Sequence, residues 1–462
     1  MSNLMSMKKT FRPYQPNQQY LLPPSLRDWL PDDHPVHFIN EVVDGFDLSA
    51  IYDDYRERRG QPPYDPRMMV KILIYAMTKG IHSSRKIERA LYEDIGLRYL
   101  SADQQPDHWT ISDFRRRHLK ALGDLLVQTV QMAQRAGLIR LNHVAIDGTK
   151  IKANASKHSA MSYARMEKEE KRLREEVQRL LERMERNDQK EDELYGDSNG
   201  YSLPKHLATA QGRLEAIAKA KAELEAEARE KAERKQAERK EKAEKQGKTH
   251  KPRKDPKNAK PKARDQRNFT DADSRIMRNS DKAFIQGYNA QAAVDAQTQI
   301  IVAADLTNQA GDCPHLQSQV EQVKRNTGQK PKEVSADAGY YSDDNVQYLM
   351  GQGIIALIPP DKVKHSEWRN PNPPRGRMPK NMTVKDLIRR MLRTRRGRKR
   401  YKLRQTSIEP TFGNIKEQIG LRQFLLRGLS KVRPYWRFTC AVHNILKLFR
   451  AGVRLTPALG TR

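Results

Sequence analysis

The chain has 462 residues, enough for two or three domains with a sizeable core. Lysine and arginine number 87 against 57 acids, a formal charge of +30 that makes a polyanion, nucleic acid first, the natural partner. A membrane is set aside, because no apolar run approaches the roughly 20 residues that span a bilayer and the basic segments lack an opposing apolar face.

The N-terminal stretch MSNLMSMKKTFRPYQPNQQY holds no apolar signal core, which points to a cytoplasmic protein. Cys313 and Cys440 stand outside any Cys-x-x-Cys or Cys/His cluster and read as buried free thiols rather than zinc ligands. Up to about residue 65 the chain is Pro-rich, as short helices joined by Pro-bounded turns would be. From Pro66 the segment PRMMVKILIYAMTKGI puts Met68, Met69, Ile72, Leu73 and Ala76 on one helical face, and Gly80 closes it. SSRKIERALYEDIGLRYL follows with Ser83 or Ser84 as cap. The next helical region starts DHWTISDFRRRHL, with Thr110 or Ser112 as its expected cap and a basic cluster at Arg115, Arg116 and Arg117. Successive short helices with arginines near the start of the last have the form of a helix-turn-helix reader, and a plain bundle with a solvated basic face has the same pattern. Residues 1–140 are therefore expected to form a helical, DNA-binding domain.

The period then changes. HVAIDGTKI reads as a strand, and residues 156–267 after it as a charged insertion. Met166, Leu173, Val177, Leu180 and Met184 form one heptad seam; Leu207, Ala210, Leu214, Ile217, Leu224 and Ala228 form a second. The breaker YGDSNGYSLP between them predicts an antiparallel helical hairpin, and the thinning of apolar positions past Ala228 predicts a frayed helix entering a basic linker. Strand character returns at about Phe284 as a hairpin turning near DAQTQ. A helix ended by Gly328, the strand EVSAD, a further helix and the strand IIALIPP follow, so strands alternate with helices as in an α/β sheet. The basic block DLIRRMLRTRRGRKRYKLRQ leads to two last helical regions, TSIEPTFGNIKEQIGLRQF and VRPYWRFTCAVHNILKLFRAG.

Three acids stand apart. Asp147 closes the apolar run VAI, Asp337 closes EVSA, and Glu409 falls in the expected first turn of TSIEPTFGNIKEQIG. A carboxylate at the end of a central strand is costly unless paired or metal-bound. Three such groups suit two Mg²⁺ ions about 4 Å apart, Mn²⁺ being the alternative, with the remaining coordination from water and substrate phosphate. Lys150 and Lys152 would hold the flanking backbone. Lys416, two helical turns beyond Glu409, would share its face, and Tyr401 and Arg404 would add phosphate contacts. Each acid also has an ordinary reading: Asp147-Gly148 as a turn, Asp337 as a cap, and Glu409 in a capping box with Thr406. Asp295, Asp343 and Asp344 are assigned to a hairpin turn and a helix N-terminus.

Taken together, YDPRMMVKILIYAMTKGIHSSRKIERAL, PDHWTISDFRRRHL, VAIDGTKIKANAS, GYNAQAAVD, VSADAGYYS and IEPTFGNIKEQIGLRQF resemble the DDE transposases of bacterial insertion sequences, in the branch with a helical N-terminal domain. The resemblance implies an α/β RNase H-like catalytic domain over residues 141–462, interrupted by the helical-hairpin insertion and preceded by the all-α domain. It maps the catalytic, metal-binding triad onto Asp147, Asp337 and Glu409. It also maps a Tyr, Arg, Glu, Lys signature onto Tyr401, Arg404, Glu409 and Lys416, with one residue more than the family pattern between Arg404 and Glu409. Cleavage of double-stranded DNA at the element's ends, transfer of a 3′-OH into target DNA, nucleoid association and a homodimer or higher oligomer on DNA are further implications. An RNase H-like nuclease without strand transfer and an architectural DNA-binding protein are the competing readings.

Overall fold

Helices come first because prolines and caps start them and glycines stop them. In the computed structural model, which describes residues 25–55, 62–195, 205–245, 255–279, 281–361, 374 and 382–454, these are α1 (Pro35–Asp44), α2 (Ser49–Tyr52), α3 (Pro66–Thr78), α4 (Ser84–Glu93), α5 (Ile95–Leu100), α6 (His108–Arg117) and α7 (Leu119–Arg135). Pro35 and Pro66 open α1 and α3, where a missing N–H costs nothing. Gly80 follows α3 at φ +73, a left-handed turn that a side chain would strain. The cap of α6 is Asp107, which accepts from the Thr110 amide at 2.6 Å; Thr110 and Ser112, the caps expected from sequence, lie inside the helix.

The mixed α/β region follows. Its elements are β1 (Val144–Lys152), β2 (Ala160–Ser162), α8 (Tyr163–Tyr195), α9 (Lys205–Lys245), β3 (Gln266–Asn268), β4 (Arg275–Arg278), β5 (Phe284–Asp295), β6 (Ile301–Thr307), α10 (Leu316–Thr327), β7 (Glu333–Ser335), α11 (Asp343–Gly351), β8 (Ile355–Leu357), α12 (Val384–Arg393), α13 (Arg395–Glu417) and α14 (Leu429–Arg450). β1 is central. It pairs antiparallel with β5 along its whole length and parallel with β7 only at Val144 and Ala145; β8 extends the parallel side, and β4 and β6 share the outer edge of β5. A helical N-terminal region ahead of a mixed sheet is consistent with the RNase H-like expectation.

Four side-chain contacts protect the outer edge of β6, which would otherwise be open to pairing. Asn326 and Gln322 of α10 donate to the carbonyls of Val302 (2.8 Å) and Ala304 (3.1 Å), Arg433 of α14 donates to Leu306 (3.0 Å), and Asn444 bonds both backbone groups of Ile301. α7 packs along α14 where Gly123 meets Pro434 so closely that a Cβ on residue 123 would lie 2.9 Å from the Pro434 carbonyl oxygen. One apolar core therefore runs from Val36 of α1 through the sheet to Leu448 of α14, with Cys440 buried in it and Cys313 only half-buried at its rim.

In α8 and α9, Tyr163, Met166 and Leu173 bury against Ala210, Ile217, Ala220 and Leu224, with Val177 and Leu214 partly covered. Tyr163 donates to Glu225 at 2.7 Å, Glu170 pairs with Lys221 at 3.0 Å and Glu169 with Arg213 at 3.3 Å, so the two helices run in opposite directions. The side chains of Met184 and Leu207 lie outside the described residues. Beyond Ala228 the helix does not fray: α9 continues to Lys245. Its Ala, Glu, Lys and Arg content has high helix propensity, and i,i+4 pairs such as Arg234–Glu238 at 3.1 Å support it without a core.

α13 departs most from the sequence reading. The second part of the basic block, RRGRKRYKLRQ, and TSIEPTFGNIKE form one helix capped by Thr394, with Pro410 inside it, so Thr406 is no cap and Glu409 is not in a first turn. Proline removes the hydrogen bond to the carbonyl four residues back. Here that carbonyl belongs to Thr406, and Gln299 from the β5–β6 turn donates to it at 3.1 Å.

His443 of α14 is fully buried, with Nδ1 accepting from Asn414 at 2.9 Å and Nε2 donating to the Gln299 carbonyl at 3.0 Å. Burial lowers its pKa from 6.5 to about 4. The folded state thus resists protonation that the unfolded chain accepts. The stability contribution is complete above pH 6.5, and about 3 kcal/mol is lost as the pH falls towards 4. Urea unfolding of wild type and His443→Gln at pH 7 and 4.5 should show the wild type losing more; equal losses would refute the assignment.

Candidate active site

β1 delivers Asp147 from its middle, not its end. The strand continues to Lys152, and Asp147 pairs with Ala292 of β5, so Asp147-Gly148 is not a turn. β7 ends at Ser335, opposite Ala145, and the chain turns away through Asp337. The gap falls beside Asp147, where the parallel pairing of β1 with β7 has ended while its antiparallel pairing with β5 continues. Asp337 is near enough for its charge to act on the Asp147 carboxyl. Asp337 accepts from the Gly339 amide at 2.9 Å, so it is a turn cap and a candidate ligand at once.

Burial pushes the Asp147 carboxyl up to about 6, against the pull of Arg404, with the charge of Asp337 adding to the rise. Arg404 of α13 donates from Nη1 to Asp147 Oδ2 at 2.6 Å, its guanidinium lies over the Tyr401 ring, and burial exposes only 11% of its side chain. Burial works against the charge of Arg404, and Asp147, Tyr401 and Asp337 together outweigh it, raising the pKa. Its Nε–H has no partner among the described residues. One turn earlier on the same helix, Arg400 donates to Glu333 of β7 at 2.8 Å, so two ion pairs fasten α13 across the sheet. Tyr401, between them, is buried.

The other sequence candidates are placed differently. Glu409 is exposed on α13 and makes no hydrogen bond or ion pair with the described residues, and no group of three His, Cys, Asp or Glu side chains among those residues is arranged to hold a metal ion. The extra residue after Arg404 is the physical reason: five helical steps turn Glu409 well away from the face on which Arg404 meets Asp147. Lys416 is half-buried, and burial lowers its pKa. Lys152 is exposed, but Lys150 is only 15% exposed and pairs with Asp312 at 3.1 Å, so it is no free phosphate contact. Arg115 is turned inward, donating to the His82 carbonyl at 2.6 Å and lying over Tyr435; Arg116 and Arg117 remain exposed near Asp113.

Sequence reading missed a polar cluster on the other face of β1. Asn289 and Gln291 of β5, Asp312 after β6 and Tyr340 after Asp337 form one hydrogen-bonded group with Lys150. Its signal was present in GYNAQAAVD, where two amides alternate within an otherwise apolar, buried strand. Burial, then the charges of Asp312, Asp147 and Asp337, push the Tyr340 phenol well above its usual range, which keeps it a donor.

Two family models match the chain. Residues 24–117 match a model described as a transposase domain, DUF772, and residues 264–445 match the transposase DDE domain. The chain belongs to the insertion-sequence DDE transposases. Asp337 and Glu409 fall inside the second match, whereas Asp147 precedes it across α8 and α9. No curated protein and no solved structure matches. No helix among the described residues of this transposase is long and apolar enough to cross a membrane.

Proposed function

We propose that this transposase binds double-stranded DNA at the ends of its element, cleaves there and joins the freed 3′-OH to target DNA. The observation that carries the reading is that Asp147, half-buried on β1 with a raised pKa, feels the charge of Asp337 in the turn after β7. Two mutually repelling hard-oxygen donors are what a divalent cation suits, and Mg²⁺ accepts one or two carboxylates with substrate phosphate and water as its other ligands. Asp147 and Asp337 would hold the ion, and Glu409 would join them only after a rearrangement of α13. When bound, such ions activate the attacking oxygen and stabilise the leaving one. Arg404, freed from Asp147, would be positioned for a phosphate oxygen through its fork of donors.

The DNA-facing cations in this reading are Lys152, Lys416, Arg116 and Arg117, with Arg115, Lys150 and Tyr401 supporting them from within. We read α8 and α9 as a helical-hairpin insertion that contacts DNA or a second protomer, because both ends must be held in one assembly. The test is incubation of the protein with duplex DNA carrying the element's ends. Mg²⁺-dependent cleavage followed by joined product is expected. Cleavage without joining would favour a nuclease, and binding with no cleavage would favour an architectural protein.

A further inference from the structure

Three elements converge behind Asp147. Gly148 and Lys150 face away from α13, by the alternation of a strand, and pair with Gln291 and Asn289 of β5. Asp312 Oδ1 accepts from all three polar side chains: Asn289 at 2.6 Å, Gln291 at 2.8 Å and Lys150 at 3.1 Å. Asn289 and Gln291 are at most 1% exposed. The packing leaves no room on β1. A Cβ at residue 148 would lie 2.3 Å from Gln291 Nε2, 2.7 Å from Asn289 Oδ1 and 2.8 Å from Asp312 Oδ1. Gly148 is thus required by the polar cluster rather than by a turn.

The cluster also reaches the second acid. Tyr340, three residues after Asp337, donates its hydroxyl to Gln291 Oε1. Asn345 of α11 ties the two loops together, donating to the Tyr340 carbonyl at 2.9 Å and to the Cys313 carbonyl at 2.8 Å. The path from β1 to the turn holding Asp337 therefore runs through side chains that bond one another.

We propose that Asp312 is a positioning residue of the transposition site, which through Gln291 and Tyr340 sets the placement of Asp337 relative to Asp147. The proposal rests on the reading of those two acids as metal ligands. Asp312 does not touch the reacting atoms; its charge gathers Lys150, Asn289 and Gln291 into one arrangement. A buried polar network is rigid only when every member is satisfied. Loss of its central acceptor charge should loosen the turn rather than unfold the sheet.

The test uses the full chain and Mn²⁺ as probe, followed by electron paramagnetic resonance, beside steady-state cleavage of end-bearing DNA. Asp312→Asn should weaken Mn²⁺ binding about tenfold and lower kcat by a similar factor, with KM for DNA unchanged. Tyr340→Phe, which keeps the volume and removes only the hydroxyl, should move both in the same direction if Asp312→Asn does not fold. Wild-type Mn²⁺ binding that is lost in Asp147→Asn but stays within twofold in both network variants would overturn the role of Asp312. No Mn²⁺ binding by the wild type would overturn the underlying metal reading, and the proposal with it.

Discussion

Asp147→Asn should lower cleavage at the element's ends by about a thousandfold or more, at least 4 kcal/mol of barrier, while leaving end binding within about threefold. The substitution keeps the shape of the side chain and removes its charge. In the resting structure that charge is held by Arg404 at 2.6 Å and opposed by Asp337, so its removal has two effects on stability with opposite signs. Arg404 would be left with a buried, unpaired guanidinium, which costs, and a desolvated carboxylate would be gone, which stabilises. The net change should stay within about 2 kcal/mol. Activity and folding are thereby separable, and a gel assay of cleavage beside a melting curve reads both. Cleavage within tenfold of wild type would remove Asp147 from the chemistry.

Trp436→Ala should destabilise the fold by about 3–5 kcal/mol. The indole is fully buried on α14, tilted against Phe412 of α13, and donates from Nε1 to the Gln291 carbonyl at 3.1 Å. Truncation leaves a cavity between the helices and β5 and strips an acceptor of its partner. Because Gln291 also carries the link from Asp312 to Tyr340, the same variant should cleave more slowly even under conditions where it is folded. Urea unfolding measures the first effect, and a loss under about 1 kcal/mol would mean the core at α14 collapses around the gap.

Much of this was readable from the chain. The β5–β6 hairpin turns at Asp295, which accepts from the Gln297 amide, and α10 ends at Gly328 with φ +69, as the local signals require. These features depend on residues near each other in sequence. What could not be read depends on distant partners. Pro410 should break a helix, yet α13 runs on as a single helix, and Gln299 from a remote turn donates to the Thr406 carbonyl that the proline leaves without its helical partner. Asp-Gly is a common turn pair, and only the crowding of Gln291, Asn289 and Asp312 shows that Gly148 belongs in a continuous strand. Three consecutive arginines look like one basic patch, yet helical geometry sends Arg115 inward to His82 and Tyr435 while its neighbours face water. Lys150 reads as a phosphate contact until Asp312 is brought beside it. For the acids, sequence placed both Asp147 and Asp337 at strand ends, whereas Asp147 lies in mid-strand and Asp337 in the turn after β7, and the helix phase after Arg404 leaves Glu409 exposed on α13 in this conformation.

The central claim is that Asp147 and Asp337 hold the divalent ion on which DNA cleavage depends. The most direct measurement replaces one donor oxygen by sulfur. Asp337→Cys, assayed for cleavage of end-bearing duplex, should be inactive with Mg²⁺, a hard ion that binds thiolate poorly, and should recover a substantial part of its activity with Mn²⁺. Full activity with Mg²⁺, or equal inactivity with both ions in a variant that melts like the wild type, would contradict the account.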